Sequence, residues 1–359
     1  IRIRSLLSAI RVREKKQTKR TIIPSNYNRV VFTEEMRKNY TILCPQMSPI
    51  HFELLEPAFC AAGYNLVVPD VPSRTCVDVG LKYVNNDACY PSLIVVGQLM
   101  SAVMSGNYDM NKTAILISQT GGGCRASNYI GFIRRALEKA GYPNVPVISI
   151  NLSGLESNPG FKLTPSLIQH GLYALEFGDI FLRCLYRTRP YEAVKGSANA
   201  LHEKWKKEVI SFITQDKLLS HRKFKQMCRQ IIRDFDNLDR VDVKKPRVGV
   251  VGEILVKFHP ATNNDLVGLL ESEGAEAVVP DLTDFLLYCF SDPVYQWQHL
   301  GGKALPAFFG WYVIQKVEHM RNAARKALAG TRFPPLGRFR DLVHNAGRLI
   351  SRGFQAGEG

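Results

Sequence analysis

The sequence predicts an α/β protein with two doubly wound, Rossmann-like lobes, whose parallel sheets are joined by a mainly helical segment. Short apolar runs rich in β-branched residues alternate with stretches whose apolar residues recur at helical spacing. This alternation is typical of parallel sheets covered by helices. An internal repeat supports the same fold, because residues 48–70 and 259–281 match at one constant offset, down to a shared Val-Val-Pro-Asp ending.

Each repeat unit has a helical pattern, a glycine that ends it and a following strand, which is one half of a βαβ unit. A third unit runs from residue 127 to residue 148. Strands are also predicted at 40–43, 113–118 and 247–251. We expect the strands at 113–118 and 247–251 each to lie in the centre of a parallel sheet.

Residues 163–239 are almost free of strand patterning, and their apolar residues recur at helical spacing. Residues 306–328 and 337–350 are also predicted to be helical. These patterns predict four segments: a basic N-terminal extension at 1–23, a first lobe at 24–160, a helical segment at 161–245 and a second lobe at 246–359. We expect the second lobe to be truncated at its C-terminus.

Composition excludes several classes of protein. The 359 residues are 45% hydrophobic, yet no apolar run reaches the roughly 18 residues of a membrane span, so we expect a cytoplasmic protein without a membrane partner. Eight cysteines with no Cys-x-x-Cys pair do not fit a secreted disulfide scaffold or a zinc ribbon. The net charge of +15 suits anionic partners, but no nucleic-acid-binding motif accompanies it, and nucleic acid is not an expected ligand.

A glycine-rich turn is the most informative motif. Gly121, Gly122, Gly123 and Cys124 lie between a predicted strand and a predicted helix, and Arg125 follows them. Such a turn lets backbone N–H groups approach an anion at a helix N-terminus. A thiol there has a lowered pKa, which favours the thiolate that binds metals or attacks substrates. A tight turn with a buried cysteine is the plain alternative.

A second cysteine, Cys89, precedes Pro91 and the apolar segment 92–104, so it also stands at a predicted helix start. Because both cysteines follow strands of one parallel sheet, we expect Cys89 and Cys124 at the same edge, where open α/β sheets bind their ligands. Cys44 ends the first strand and is a weaker candidate for the same site. Cys60 and Cys228 lie within helical patterns and are expected to be core residues.

Four segments, at 41–59, 86–100, 119–137 and 254–281, together resemble the 2-hydroxyacyl-CoA dehydratase family. The resemblance is to the branch found as the C-terminal part of acyl-CoA dehydratase activase-related proteins. These proteins are also called CoA-substrate-specific enzyme activases. The more specific elements are the Cys-Tyr-Pro and Gly-Gly-Gly-Cys motifs. The resemblance extends over about residues 25–359.

The resemblance implies an iron–sulfur component that accepts a low-potential electron from an activator ATPase, with an acyl-CoA as a possible substrate. Cys89 and Cys124 match cluster-ligating cysteines of a 4Fe–4S type centre, and a further ligand is implied beyond Gly359. If the protein is an enzyme, it is then a lyase of this family or an ATP-dependent reductase component.

Two other functions stay open at this point. The chain could be a non-catalytic docking or regulatory module fused to activator ATPase domains. It could also be an anion- or nucleotide-binding α/β protein, with Gly121, Gly122, Gly123 and Arg125 around the bound group.

Overall fold

A computed structural model describes residues 7–8, 11–12, 29–70, 73–85, 88–119, 128–151, 158–215 and 218–348. Within these ranges the protein is a mixed α/β fold that is mostly helical, with one parallel sheet of four strands and one of two strands. None of the helices in these ranges is both long and apolar enough to cross a membrane.

The first sheet has the strand order β2-β1-β3-β4, and all its neighbours pair in parallel. The predicted central strand is confirmed, because β3 lies between β1 and β4. The direction in which strands are added reverses between β1 and β3, and such a reversal opens a crevice at the carboxyl ends of the strands. The strands are β1 at Thr41–Leu43, β2 at Asn65–Val67, β3 at Thr113–Gln119 and β4 at Val147–Asn151.

Helices make up most of the chain. Among the described residues, five helices belong to the first lobe, three to the predicted helical segment and six to the region after residue 246. They are α1 at Glu34–Asn39, α2 at Pro49–Ala61, α3 at Ser73–Tyr83, α4 at Tyr90–Met104, α5 at Tyr129–Lys139, α6 at Pro165–Thr188, α7 at Ser197–Ile213, α8 at His221–Asp236, α9 at Ile254–Phe258, α10 at Pro260–Asn263, α11 at Leu266–Ser272, α12 at Leu282–His299, α13 at Ala304–Leu328 and α14 at Phe339–Ala346.

Strand β3 is apolar because both faces of its sheet are covered. Ile115 and Ile117 pack with the buried residues of α3, α4 and α5. Ala114 and Leu116 point the other way, into a smaller core that includes Leu167 at the start of α6. Side chains alternate between the two faces of a strand, so a strand buried on both sides lacks the polar residues of a half-exposed one.

Helices α3 and α4 approach each other unusually closely, at glycines. A Cβ atom at Gly97 would lie 1.8 Å from the carbonyl oxygen of Cys76, and one at Gly80 would lie 2.2 Å from that of Leu93. Only glycine fits at such backbone contacts. The close approach fixes α4, and with it the position of Cys89 at the start of α4.

The second sheet contains only β5, Arg247–Gly249, and β6, Glu276–Val278, paired in parallel. The predicted parallel pairing is confirmed, but the prediction that the strand before Gly252 is central is wrong in the described ranges, since β5 pairs with β6 alone. All three residues of β5 are exposed. The chain after β6 continues into α12 and α13, of 18 and 25 residues, rather than into further strands.

The largest core of the molecule is helical, and α6 runs through it. Thr164 caps this 24-residue helix by accepting the N–H of Leu167, and Pro165 occupies its first turn. Phe177 and Phe181 of α6 pack with apolar residues of α2, α7, α8, α12 and α13. Leu182, on the same helix, belongs to the core of the second sheet. Helix α6 therefore contacts both α/β regions.

A buried arginine joins the helices of this core. The side chain of Arg321 on α13 is 1% exposed, and its guanidinium lies 2.8 Å from Asp281, 2.7 Å from Asp284 and 3.3 Å from Glu318. Glu176 of α6 is 3.8 Å away. Buried charges need such partners, because removing them from water is costly.

Asp284, one of the acids around Arg321, makes the stability of the folded protein depend on pH. Burial raises the pKa of Asp284 to about 6, and the charge of Asp281 adds to the effect, although Arg321 opposes it. The folded state therefore binds this proton more tightly than the unfolded chain does. Consequently, the contribution of Asp284 to stability falls as the pH rises from about 4 to about 6.

We therefore expect the unfolding free energy of Asp284→Asn, relative to that of the wild type, to be higher at about pH 7 than at about pH 4.5. The reason is that asparagine does not titrate, whereas Asp284 loses its proton between these pH values. Urea unfolding of the wild type and of this variant at the two pH values gives the two differences in unfolding free energy. The same difference at both pH values would contradict the raised pKa.

Candidate functional site

Cys89 stands at the N-terminus of a long buried helix. It is the N-cap residue of α4, whose 15 residues include Pro91 in the first turn, as the sequence predicts. Its backbone carbonyl accepts the hydroxyl of Ser92 at 2.7 Å, and its thiol is half-buried.

A second helix begins beside the same thiol. The Cys89 sulfur lies 3.7 Å from the hydroxyl of Tyr129, the first residue of α5. Helix α5 follows β3 in the chain, so the N-termini of α4 and α5 meet near the carboxyl end of β3. The expectation that Cys89 follows a strand is wrong, because helix α3 precedes α4 in the chain. Its predicted position beside Cys124 stays a prediction.

The glycine-rich turn lies outside the described residues. Gly121, Gly122, Gly123, Cys124 and Arg125 all fall in the stretch 120–127, between the end of β3 and Asn128. Their predicted roles, anion contact for the glycines and Arg125 and cluster ligation for Cys124, stay predictions. The structure does establish that Cys89 contacts the helix on the C-terminal side of this stretch.

Cys44 is a poor candidate for a thiolate ligand. Its sulfur is 3.9 Å from the carbonyl oxygen of Pro45, and burial, together with the negative charge of Glu56, raises the pKa of the thiol to about 12. The amide of Gln98 bonds both backbone groups of Gln46, next to this loop. Gln98 is nine residues after Cys89, about 14 Å along the helix axis. Cys44 packs against the core that contains Ala114 and Leu116, whereas Cys89 packs against the core on the other face of β3.

The other described cysteines are ordinary packing residues or surface residues. Cys76, Cys184 and Cys228 are buried. Burial raises the pKa of Cys76 to about 11 and that of Cys184 to about 12. The expected core position of Cys228 is confirmed. That of Cys60 is wrong, because Cys60 is exposed on α2 and its thiol faces the carbonyl of Leu66 at 3.6 Å.

The residues present fit a metal cluster only in part. In the described ranges no three histidine, cysteine, aspartate or glutamate side chains are grouped closely enough to hold a metal ion. Cys89 stands at the N-terminus of a helix, whereas Cys44 follows a strand and its thiol has a raised pKa. An iron–sulfur cluster is usually held by four thiolates or substitute ligands. The other ligands would therefore have to come from outside the described residues, such as Cys124.

The structure also contains a Ser–His–Asp arrangement that the sequence does not reveal. His51 lies 2.9 Å from Asp179 through Nε2 and 2.7 Å from the hydroxyl of Ser48 through Nδ1. Since the carboxylate can only accept, Nε2 of His51 donates to Asp179. Asp179 also accepts the N–H groups of Leu282 and Thr283 at the start of α12.

This arrangement joins elements of the fold and does not form an active site. Ser48 is 2% exposed and His51 is fully buried, so no substrate can reach the hydroxyl. Burial opposes ionisation of Asp179, but the hydrogen bonds from His51 and Thr283 outweigh it and lower the pKa of this carboxyl. The three side chains connect α2, α6 and α12, which are distant in sequence.

No protein-family model, no curated protein and no solved structure matches this chain.

Proposed function

We propose that this chain is the iron–sulfur, electron-accepting component of an ATP-driven 2-hydroxyacyl-CoA dehydratase or of a related reductase. The observation that carries the proposal is the position of Cys89. Its thiol stands at the N-terminus of α4 and contacts Tyr129, the first residue of α5, and Cys124 precedes Tyr129 by five residues in the sequence.

The electrostatics of this region support a low-potential cluster. A thiolate-ligated cluster carries net negative charge, and the N–H groups and dipoles at helix N-termini stabilise negative charge. Cys89 is the N-cap residue of the 15-residue helix α4, and its sulfur contacts the side chain of the first residue of the 11-residue helix α5. In this proposal Cys89 and Cys124 are ligands, and the turn Gly121, Gly122 and Gly123 with Arg125 lies next to the cluster.

The cluster would supply the capacity to take up one electron. The partner that supplies the electron is an activator ATPase domain or subunit, and the substrate class suggested by the family resemblance is an acyl-CoA. If the chain retains the fold without a cluster, two functions remain: a docking or regulatory module fused to activator ATPase domains, or an anion- or nucleotide-binding α/β protein.

Anaerobic purification followed by iron and sulfide analysis tests the proposal. We expect bound iron and sulfide with the broad visible absorbance of an iron–sulfur cluster, and loss of most of both in Cys89→Ser and in Cys124→Ser. Unfolding curves should show that both variants remain folded, because each change replaces only a sulfur atom by an oxygen atom. The electron-accepting role is tested by mixing with an activator ATPase and ATP, which should bleach the absorbance.

Cys60→Ser is the matched control, since Cys60 is a cysteine of the same lobe that is exposed and distant from the start of α4 in sequence. It should keep the full iron content. Iron retained in Cys89→Ser, or none bound by the wild type after anaerobic reconstitution, would reject the cluster and favour the docking module.

A further inference from the structure

A cavity of about 100 Å³ lies between α6 and the short helices of the second α/β region. Its apolar wall includes Leu182, Val267 and Val279. Tyr186 and Arg189 follow Leu182 at helical spacing, and so line the cavity from the same side. One water molecule needs about 10–15 Å³ of such space, so this cavity has room for a small polyatomic ligand.

The opposite side of the cavity is lined by Lys257 on α9. Its ammonium lies over the ring of Phe258, 4.9 Å from the ring centre. Among the described residues it has no hydrogen-bond acceptor and no carboxylate within ion-pair distance. Burial of this side chain lowers its pKa, even though the charges of Asp284 and Glu253 oppose the effect. Lys257 is therefore a half-buried cation that has no direct ion-pair partner among the described residues.

Two more donors line the same cavity. Arg189 donates from Nε and Nη2 to Glu271 at 3.1 and 2.8 Å, which leaves Nη1 without an acceptor in the described part of the chain. The hydroxyl of Tyr186 likewise has no hydrogen-bond partner there, and its ring lies 5.0 Å from the Arg189 guanidinium. Lys257, Arg189 and Tyr186 together offer donors for which the protein supplies no acceptor.

The acidic groups near the cavity are already engaged. Glu271 accepts both bonds from Arg189. Asp265, which also lines the cavity, is turned toward the start of α11 and accepts the N–H of Gly268 at 3.4 Å. Among the described residues, no carboxylate forms an ion pair with Lys257, although the charges of Asp284 and Glu253 act on it from a greater distance.

We propose that this cavity binds the oxyanion of a small ligand, a carboxylate or a phosphate group, through Lys257, Arg189 and Tyr186. Carboxylates and phosphates accept hydrogen bonds from ammonium, guanidinium and hydroxyl groups. A cation would be repelled by Lys257 and Arg189, and a purely apolar ligand would leave all three donors unpaired. The site is independent of Cys89, and it stands whether or not the chain binds a cluster.

Calorimetric titration of the full chain with two probes tests the site. Inorganic phosphate and propionate are titrated separately, and binding of at least one of them in a 1:1 ratio is expected. Binding of phosphate alone identifies a phosphate site, and binding of propionate alone identifies a carboxylate site.

Lys257→Met should weaken the binding about ten- to a hundredfold, because it removes a charge-assisted hydrogen bond. Tyr186→Phe should weaken it less.

Lys316→Met is the matched control. Lys316 is exposed, and its ammonium also lies over a ring, 5.3 Å from the centre of Tyr312. This variant should bind the probe as the wild type does. Without probe, Lys257→Met should be folded and at least as stable as the wild type. Dissociation constants above about 10 mM for both probes, or unchanged binding in Lys257→Met, would overturn the proposal.

Discussion

Replacing Arg321 with methionine is expected to lower the unfolding free energy by about 3–5 kcal/mol, because it leaves buried carboxylates without a counter-charge. Asp281 is almost fully buried and would retain only Arg183, 2.8 Å away, as an ion-pair partner. Asp284 would lose its ion pair with Arg321, whose atoms are 2.7 Å apart. Urea unfolding at neutral pH gives the value. Arg321→Lys, which keeps the charge but not the planar fork, should lose less.

Arg332→Met provides the comparison for this prediction. The Arg332 side chain is 43% exposed and pairs with Asp236 at 3.2 Å, so its loss should cost no more than about 1 kcal/mol. If Arg321→Met and Arg332→Met had similar effects, the buried ion pairs would not be a principal source of stability.

Replacing Gly97 with alanine should lower the unfolding free energy by about 1–3 kcal/mol or more, because the new methyl group would overlap the backbone of α3. The atom in the way is the carbonyl oxygen of Cys76, 1.8 Å from the Cβ position, and a backbone atom cannot rotate aside. The measurement is again urea unfolding. Where the protein also binds iron, the displacement of α4 should reduce the iron content.

Gly171→Ala is the matched control for this steric argument. Gly171 lies inside α6, and no atom lies within 4 Å of its Cβ position. Alanine there should raise the unfolding free energy by up to about 1 kcal/mol through its higher helix propensity. A loss at Gly171 equal to that at Gly97 would show that the overlap is not the cause.

Local patterns in the sequence account for much of the first lobe. The β-branched run of β3 and the Cys-Tyr-Pro start of α4 indicate their elements within one or two residues. The predicted helix at 306–328 corresponds to α13 at Ala304–Leu328. These elements depend on periodicity and on proline at a helix start, which are local properties of the chain.

The second sheet and the polar sites depend on contacts that no local pattern shows. The Val-Val-Pro-Asp repeat suggests two equivalent lobes, yet β5 and β6 have three residues each and pair only with each other. His51 and Asp179 are 128 positions apart. The cavity at Lys257 likewise needs α6 on its other side. Tertiary packing decides such features, and a single sequence gives no signal for them.

The helical core has a consequence for how the protein folds during synthesis. Leu54 of α2 and Val317 of α13 are buried in the same core, so partners about 260 residues apart must meet. At about 5–20 residues per second, the ribosome takes roughly 13–50 seconds to make the intervening chain. Until then the apolar face of α2 lacks part of its native cover. Nascent chains of this protein should therefore depend on chaperones that shield early apolar segments, and the yield of folded protein should fall when chaperones are scarce.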